Sequence, residues 1–293
     1  MGATMRSDPS VIIVNWEKPY ETITCLESLH DALGSLSSVI LVDNGSQDDS
    51  VEILQQRFLE PRFIVLEVNR GFAGGYNAGI REALKGNAKY FFLLNNDTLI
   101  EPETIPILRE VNADISVPKI LYFPEKERIW AAGAYWRNIS ATVKMRGNGN
   151  IDRGQYDEPI NLDYSTACAL MVRREVFERI GGFNETFQNY FEDYDFCYRA
   201  RQANFSIQFE PRAYVYHKDA TSLDKSPALR WWFIARNTVH FFNNHEPFTM
   251  GMLLRNILWV SSRELILLRF DRFIHYLKGY QAGLREIRKQ REP

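Results

Sequence analysis

Val11-Ile-Ile-Val-Asn15 and Val39-Ile-Leu-Val-Asp43 are the two stretches on which the fold turns. Each is a short β-branched run closed by a polar residue, and the segment between them carries Thr22, Leu26, Leu29 and Leu33 at helical spacing. Continuous apolar runs of this length read as strands buried on both faces, the pattern of a parallel sheet, so the whole is a β-α-β unit. Two further runs extend it, Phe63 to Val68 and Tyr90-Phe-Phe-Leu-Leu94. The four end in Asn15, Asp43-Asn-Gly, Asn69-Arg-Gly and Asn95-Asn-Asp97. Ligands of open parallel sheets bind outside the carboxyl ends of the strands, so these endings are expected to converge on one crevice. The fold class that follows is α/β.

Further along, a helix after Glu101-Pro102 leads to a strand-like Ile115 to Val117 and then to a loop-rich stretch reaching Asp163, where acceptor contacts and irregular strands are expected. Ala167 to Val172 reads as another core strand, Arg174 to Ile180 as a helix, Gly181-Gly182-Phe183 as a turn, and Glu192 as an acidic helix start. The expected division is a main domain over residues 1–245, with a nucleotide-binding half at about 10–100 and an acceptor and catalytic half at about 101–245, and a helical extension over 246–293.

With 293 residues, 45% of them hydrophobic, the chain has material for a large core. Its 35 basic and 37 acidic residues leave a net charge of -2, which offers no bulk electrostatic footprint for nucleic acid. Cys25, Cys168 and Cys197 are odd in number and widely spaced, which fits a reduced compartment better than a disulfide framework. Met1 to Ser10 is polar and has no apolar signal core, so a cytoplasmic protein is expected. A spanning helix needs a run of about 18 apolar residues. The nearest approach, Met250 to Phe270, is interrupted by Arg255, Arg263, Glu264 and Arg269.

Four constellations can carry chemistry. Asp43-Asn-Gly-Ser46 places a carboxylate at a strand end, either as a polar anchor for a base or ribose or as local turn chemistry. Asn69-Arg-Gly-Phe-Ala-Gly-Gly-Tyr-Asn77 leaves a strand and enters a helix, where glycines let backbone approach a ligand and free N–H groups suit phosphate. It is not the dinucleotide fingerprint. Asp97, in Asn95-Asn96-Asp97, supplies an oxygen ligand of the kind that Mg²⁺ or Mn²⁺ uses to bridge protein and phosphates, or else caps a turn. Glu192 and Asp193 open a helix, where the macrodipole alone accounts for acids, or else Asp193 is a general base whose protonation Glu192 modulates. Asp195 and Arg199 are spaced for an ion pair. His217 and Arg236 each have an ordinary structural reading beside a ligand-binding one.

Together, and in this order, the pieces resemble the family 2 glycosyltransferases of GT-A fold, and within them the rhamnosyltransferase-like group: Val-Ile-Ile-Val-Asn15-Trp, Val-Asp43-Asn-Gly-Ser, the Asn69 to Asn77 run, Asn95-Asn-Asp97, Gly181-Gly-Phe, Phe-Glu192-Asp193-Tyr-Asp195, His217 and Arg236-Asn237. They cover about residues 11 to 240. The resemblance implies a Rossmann-like, mostly parallel central sheet flanked by helices, with a C-terminal helical extension. It implies a nucleotide-sugar site at Asn15, Glu17, Asp43, Asn69, Arg70, Gly71, Asn77, Asn95 and Asn96, with Arg236 on the leaving diphosphate. Asp97 and His217 would hold Mn²⁺ or Mg²⁺, and Asp193, beside Glu192, would be the base of an inverting displacement. The family's Asp-x-Asp triplet here begins with Asn95, and one fewer anionic ligand implies weaker metal binding in the absence of donor. Trp16 and Glu17 replace the commoner Tyr-Asn, which leaves the role of Glu17 open.

The implied activity is transfer of a sugar, rhamnose as the first choice, from a dTDP- or UDP-sugar to a hydroxyl of a glycan or lipid-linked acceptor in polysaccharide or cell-wall assembly. Two alternatives stand beside it. A nucleotidyltransferase would want a Gly-rich basic loop after the first strand, and Asn15-Trp-Glu-Lys-Pro19 is not one. A non-catalytic nucleotide-sugar or glycan-binding module would be favoured by loss of Asp97 or Asp193, and both are present. The Arg-interleaved apolar tail from about Phe248 to Arg288 suits either peripheral contact with the inner face of the cell membrane, the favoured reading, or a homodimer helix.

Overall fold

A computed structural model describes residues 9–137, 140, 142–218, 227–245 and 249–291. The β-α-β opening is β1 (Ser10–Asn15), α1 (Pro19–Leu33) and β2 (Val39–Asp43). Proline at the start of α1 gives up an N–H that has no intrahelical partner there. The helix ends on Gly34, whose left-handed φ of 73° returns its N–H to the His30 carbonyl. After α2 (Ser50–Arg57) and β3 (Arg62–Val65) come α3 (Gly71–Ala83), β4 (Tyr90–Leu94), β5 (Thr98–Ile100), α4 (Thr104–Glu110) and β6 (Ile115–Tyr122). The middle of the chain holds β7 (Ile129–Ala131), β8 (Ala134–Arg137), β9 (Thr142–Met145) and β10 (Ile160–Asn161). Then follow β11 (Ala169–Arg173), α5 (Arg174–Ile180), α6 (Glu192–Gln202), β12 (Ile207–His217), α7 (Pro227–Asn244), α8 (Met250–Ile266) and α9 (Phe270–Arg291).

The main sheet runs β10-β12-β6-β11-β4-β1-β2-β3, with β5 on β12 and β7 on β6. Strands β4, β1, β2 and β3 are parallel, in register from Asn15 opposite Asp43 to Asp43 opposite Val65. Strand β11 inserts antiparallel to both β4 and β6, so β6 recovers the direction of β4 and β12 follows it in parallel. The reversed β11 inside the path, with antiparallel β10, β5 and β7 on its β6 and β12 side, is what separates this mixed sheet from a plain doubly wound one.

Three differences from the sequence reading have physical causes. The third strand is shorter than Phe63 to Val68 and is not covered on both faces, because β3 is the sheet's edge and leaves Val65 and Val68 exposed. The strand expected at Ile115 to Val117 runs eight residues, through Pro118, because β12 pairs along its length with a register shift between Glu210 and Tyr214. The third concerns the helices. The described residues among 1–134, 145–188 and 192–219 form one packing unit, and those among 135–144, 189–191 and 220–293 form another. Residues 227–245 therefore fall in one unit with the C-terminal helices, a grouping that begins ahead of the division expected at 245. Gly279 and Gly283 of α9 explain the pairing: a Cβ would fall 2.2 Å from the Trp232 carbonyl oxygen at Gly279 and 2.9 Å from that of Arg236 at Gly283, so α9 lies directly on the α7 backbone.

Candidate active site

The parallel strands deliver their polar endings to one hydrogen-bonded group. Asn15 Nδ2 donates to Asp43 Oδ2 at 2.8 Å. Ser46 completes the cradle, its N–H reaching Oδ1 at 2.9 Å and its hydroxyl Oδ2 at 2.7 Å. The buried Asp43 carboxylate is thus held by three donors. The Ser46 hydroxyl oxygen also accepts from the Glu17 N–H at 2.9 Å, and Glu17 sits at φ 53°, a left-handed conformation rare outside glycine. Asn44 ties in the third ending: its Nδ2 donates to Asn69 Oδ1 at 3.2 Å and to the Gly71 carbonyl at 3.0 Å, while its Oδ1 accepts the Arg70 N–H. The fourth ending arrives through Thr22, whose hydroxyl donates to Asn15 Oδ1 at 2.7 Å and accepts from Asn96 Nδ2 at 2.8 Å. Asn95 Oδ1 accepts from Tyr76 at 3.1 Å.

Two expected ligand contacts have other partners. Asn77 is a buried tether, donating to the Phe183 carbonyl and to Glu185 and accepting the Phe183 N–H, each at 3.0 Å or less. This explains the Gly181-Gly182-Phe183 turn, since a Cβ on Gly182 would fall 2.2 Å from Asn77 Oδ1. The Arg70 guanidinium meets Glu185 at 2.7 Å, a half-exposed pair of small energetic weight.

Strand β5 begins at Thr98 opposite His217 of β12, and that register sets Asp97 beside His217. Asp97 Oδ1 lies 3.2 Å from His217 Nε2, both residues being buried. Among the described residues neither that oxygen nor either ring nitrogen has a well-aligned hydrogen-bond partner. Buried polar atoms left this way cost free energy unless something binds them, and one carboxylate oxygen with one imidazole nitrogen is a donor set suited to Mn²⁺ or Mg²⁺. No group of three or more His, Cys, Asp or Glu among the described residues could hold an ion alone, so substrate oxygens would have to complete the shell. Burial opposes the imidazolium form, but Cys168 and Asp97 carry the His217 pKa up to about 11, so a cation would have to displace that proton to take the ring nitrogen. The indole of Trp130 packs edge-on against the ring at 4.6 Å between centroids.

At the start of α6, Asp193 Oδ2 accepts from the Tyr164 hydroxyl at 2.7 Å and from the Ala167 N–H at 3.3 Å, and its Oδ1 accepts the Tyr194 N–H at 2.8 Å. Burial raises its pKa, and these donors oppose the rise. Glu192 is pushed much further up by burial and by the Asp193 charge, and its Oε2 has no partner among the described residues. Two neighbouring carboxyls with unequal support titrate as a pair, and the hydrogen bonds favour ionisation at Asp193. The next residue after Ala167 links this pair to the other, since the Cys168 carbonyl accepts the Asn95 N–H at 2.9 Å. The expected ion pair of Asp195 and Arg199 forms at 2.7 Å and anchors α6.

Arg236 lies on α7 in the helical unit, 2.8 Å from Glu286 and donating to Asn237 Oδ1 at 2.7 Å. Thr22, Asn44, Ser46, Tyr76, Tyr164 and Glu185 are positioning residues that sequence reasoning passed over. Thr22 left a trace as a hydroxyl within the apolar stripe of α1, and Asn44, Ser46 and Tyr76 lay inside the candidate motifs without being singled out.

Fold and site together define a GT-A protein: a Rossmann-like sheet with β11 reversed inside it, polar strand endings on one side, and paired acids at a helix start. The chain belongs to glycosyl transferase family 2, whose model matches residues 10–181. A second model, the N-terminal domain of galactosyltransferase, matches residues 153–219. The low-salt glycan biosynthesis hexosyltransferase Agl10 of Haloferax volcanii is 30% identical over 212 residues, which are 70% of this chain and 65% of that protein. The N-acetylglucosaminyl-diphospho-decaprenol L-rhamnosyltransferase of Mycobacterium tuberculosis is 26% identical over 232 residues, 69% of this chain and 73% of the relative. The crystal structure of GalNAc-T7 with UDP, GalNAc and Mn²⁺ matches at a TM-score of 0.63 and 14% identity, covering 98% of this chain and 58% of that one, a likeness of fold. The chain thus spans 65% of Agl10 and a smaller share of GalNAc-T7.

Proposed function

We propose that this protein is an inverting glycosyltransferase that moves a hexose, rhamnose as the first candidate, from a nucleoside-diphosphate sugar to a hydroxyl of a glycan or lipid-linked acceptor. The observation that carries the reading is the unequal acid pair: an Asp193 carboxylate that accepts from three donors beside a buried Glu192 whose Oε2 has none among the described residues. A carboxylate with a raised pKa is suited to take the acceptor hydroxyl's proton as oxygen attacks the anomeric carbon. Inversion in one displacement needs no covalent enzyme intermediate.

Asn15, Asp43 and the Asn69–Gly71 turn line the nucleoside end, and Asp97 with His217 would hold the divalent cation. Bound there, the cation would offset charge on the departing diphosphate. The relatives supply the substrate class: one is named as a hexosyltransferase of glycan biosynthesis and another as a rhamnosyltransferase acting on a diphospho-decaprenol. The structural neighbour holding UDP and Mn²⁺ supports the choice of cofactor.

A donor screen tests the proposal. With Mn²⁺ or Mg²⁺, dTDP- and UDP-sugars are supplied with a lipid-linked acceptor and released nucleoside diphosphate is followed. One donor should turn over, and Asp193→Asn should lower kcat by about 10²- to 10⁴-fold, the usual worth of a general base. Undiminished turnover in the variant would remove Asp193 from the role.

A further inference from the structure

The helical unit has a face that the transfer reading does not use. Helix α8 buries Leu253, Asn256, Val260 and Glu264, and Asn256 Oδ1 accepts from Tyr276 of α9 at 2.8 Å. Its outer side carries Met250, Leu254 and Leu258, one above another at a spacing of four residues, and all three are exposed. At its C-terminal end the apolar surface widens. Ile266 is 79% and Leu268 72% exposed, with Leu267 and Phe270 open beside them, and Leu268 is left-handed at φ 55°. Single exposed leucines are ordinary, but a row of exposed apolar residues that resumes past Ser262 in an apolar turn marks a surface with a partner.

Charge decides which partner. Residues 249–293 hold nine Lys and Arg against four Asp and Glu, a net +5 in a chain whose total is -2. Of the acids, Glu264 is fully buried against Arg263, whereas Arg255 and Arg269 are exposed. Asp271 is the exposed acid beside the turn, 3.3 Å from His275. A two-fold contact through this face would set arginines against their own copies, which costs affinity. Anionic headgroups complement it, with the apolar strip in the acyl boundary and arginines at the phosphates. No helix among the described residues is long and apolar enough to cross a membrane, so the arrangement is one of lying on the surface.

We propose that the outer face of α8 and the turn into α9 dock this protein on an anionic phospholipid bilayer. The inference goes beyond the transfer reading and does not rest on it, because its test needs neither donor nor acceptor. The full chain is floated through a sucrose gradient with vesicles of phosphatidylcholine alone or with about a quarter phosphatidylglycerol. The wild type should float with the anionic vesicles and be released by salt. Ile266→Asp with Leu268→Asp should lower the bound fraction about tenfold, since both side chains supply buried apolar area. Arg255→Glu should weaken flotation on the anionic vesicles only. These positions are exposed and Asp tolerates left-handed backbone, so matching far-ultraviolet circular dichroism will show the fold intact. A wild type that stays with the soluble fraction on both vesicles overturns the proposal, as does a double variant that floats like wild type. A dimer seen by light scattering and dispersed by the double variant, without flotation of the wild type, would assign the face to a second copy instead.

Discussion

Asp193 is a carboxylate between opposing influences. Burial lifts its pKa, and the Tyr164 hydroxyl is the first of the groups that bring it back down. In the proposed role of base it would work only above its pKa, so activity should be lost as pH falls through that value. Tyr164→Phe removes a donor to the ionised form, raises the pKa further, and should move the acidic limb of kcat to higher pH while the plateau falls less. An unmoved limb would mean that Tyr164 only packs. The acids themselves were legible in the sequence because Glu192-Asp193 opens a helix and Asp43 closes a strand. Tyr164 was not, because its partner lies 29 residues away and no local pattern marks the pairing. Asn77 misled for a related reason: an amide at a glycine-rich helix start suits a ligand, yet here it satisfies a turn more than a hundred residues distant.

Elements repeat the lesson at longer range. Strands β2 and β4 matched their apolar runs because both are covered on each face, whereas β3 did not because nothing in Phe63 to Val68 says that it lies at an edge. The reversed direction of β11 was equally silent, since a buried antiparallel strand and a parallel one share the same apolar signature. A second element with no sequence signal is the segment that runs into α6. Tyr190 and Phe191 have φ values of 66° and 76°, costly for bulky residues, and the fully buried Asn237 donates to the carbonyls of both Asn189 and Tyr190 at 2.8 Å. Its Oδ1 is held by Arg236, which Glu286 holds in turn. Asn237→Ala leaves two carbonyls without that donor and should lower stability by about 1–3 kcal/mol in urea denaturation. A loss of a few tenths would mean that the strained pair persists on its aromatic contacts, of which Phe191 against Phe241 is one.

At the scale of the whole molecule, the sheet unit holds the Asn15, Asp43 and Ser46 cradle, the Asp97 and His217 pair and the acid pair. Together they draw on both halves of the sheet, the cradle on β1 and β2 and His217 on β12, so a ligand that binds them stabilises the folded unit against its unfolded chain. In the proposed site the cation would meet one carboxylate and one imidazole, with Asn95 where a second acid would stand. A hard cation with so few anionic ligands is held weakly until diphosphate oxygens join it, and the diphosphate is held weakly without the cation. The two should therefore be thermodynamically coupled, each raising the other's affinity by the same factor. In thermal melts Mn²⁺ alone and UDP or dTDP alone should each shift the transition little. Together they should shift it by much more than the sum, on the order of 2–3 kcal/mol of stabilisation at a hundredfold excess over Kd. Asp97→Ala should abolish the excess and leave any small nucleotide-only shift in place, because Asn15, Asp43 and the Asn69–Gly71 turn do not depend on Asp97. A full shift with Mn²⁺ alone would mean that the chain supplies more ligands than this pair. Strict additivity would mean that nucleotide and metal bind independently, and the diphosphate would then have to be held by side chains other than Asp97 and His217.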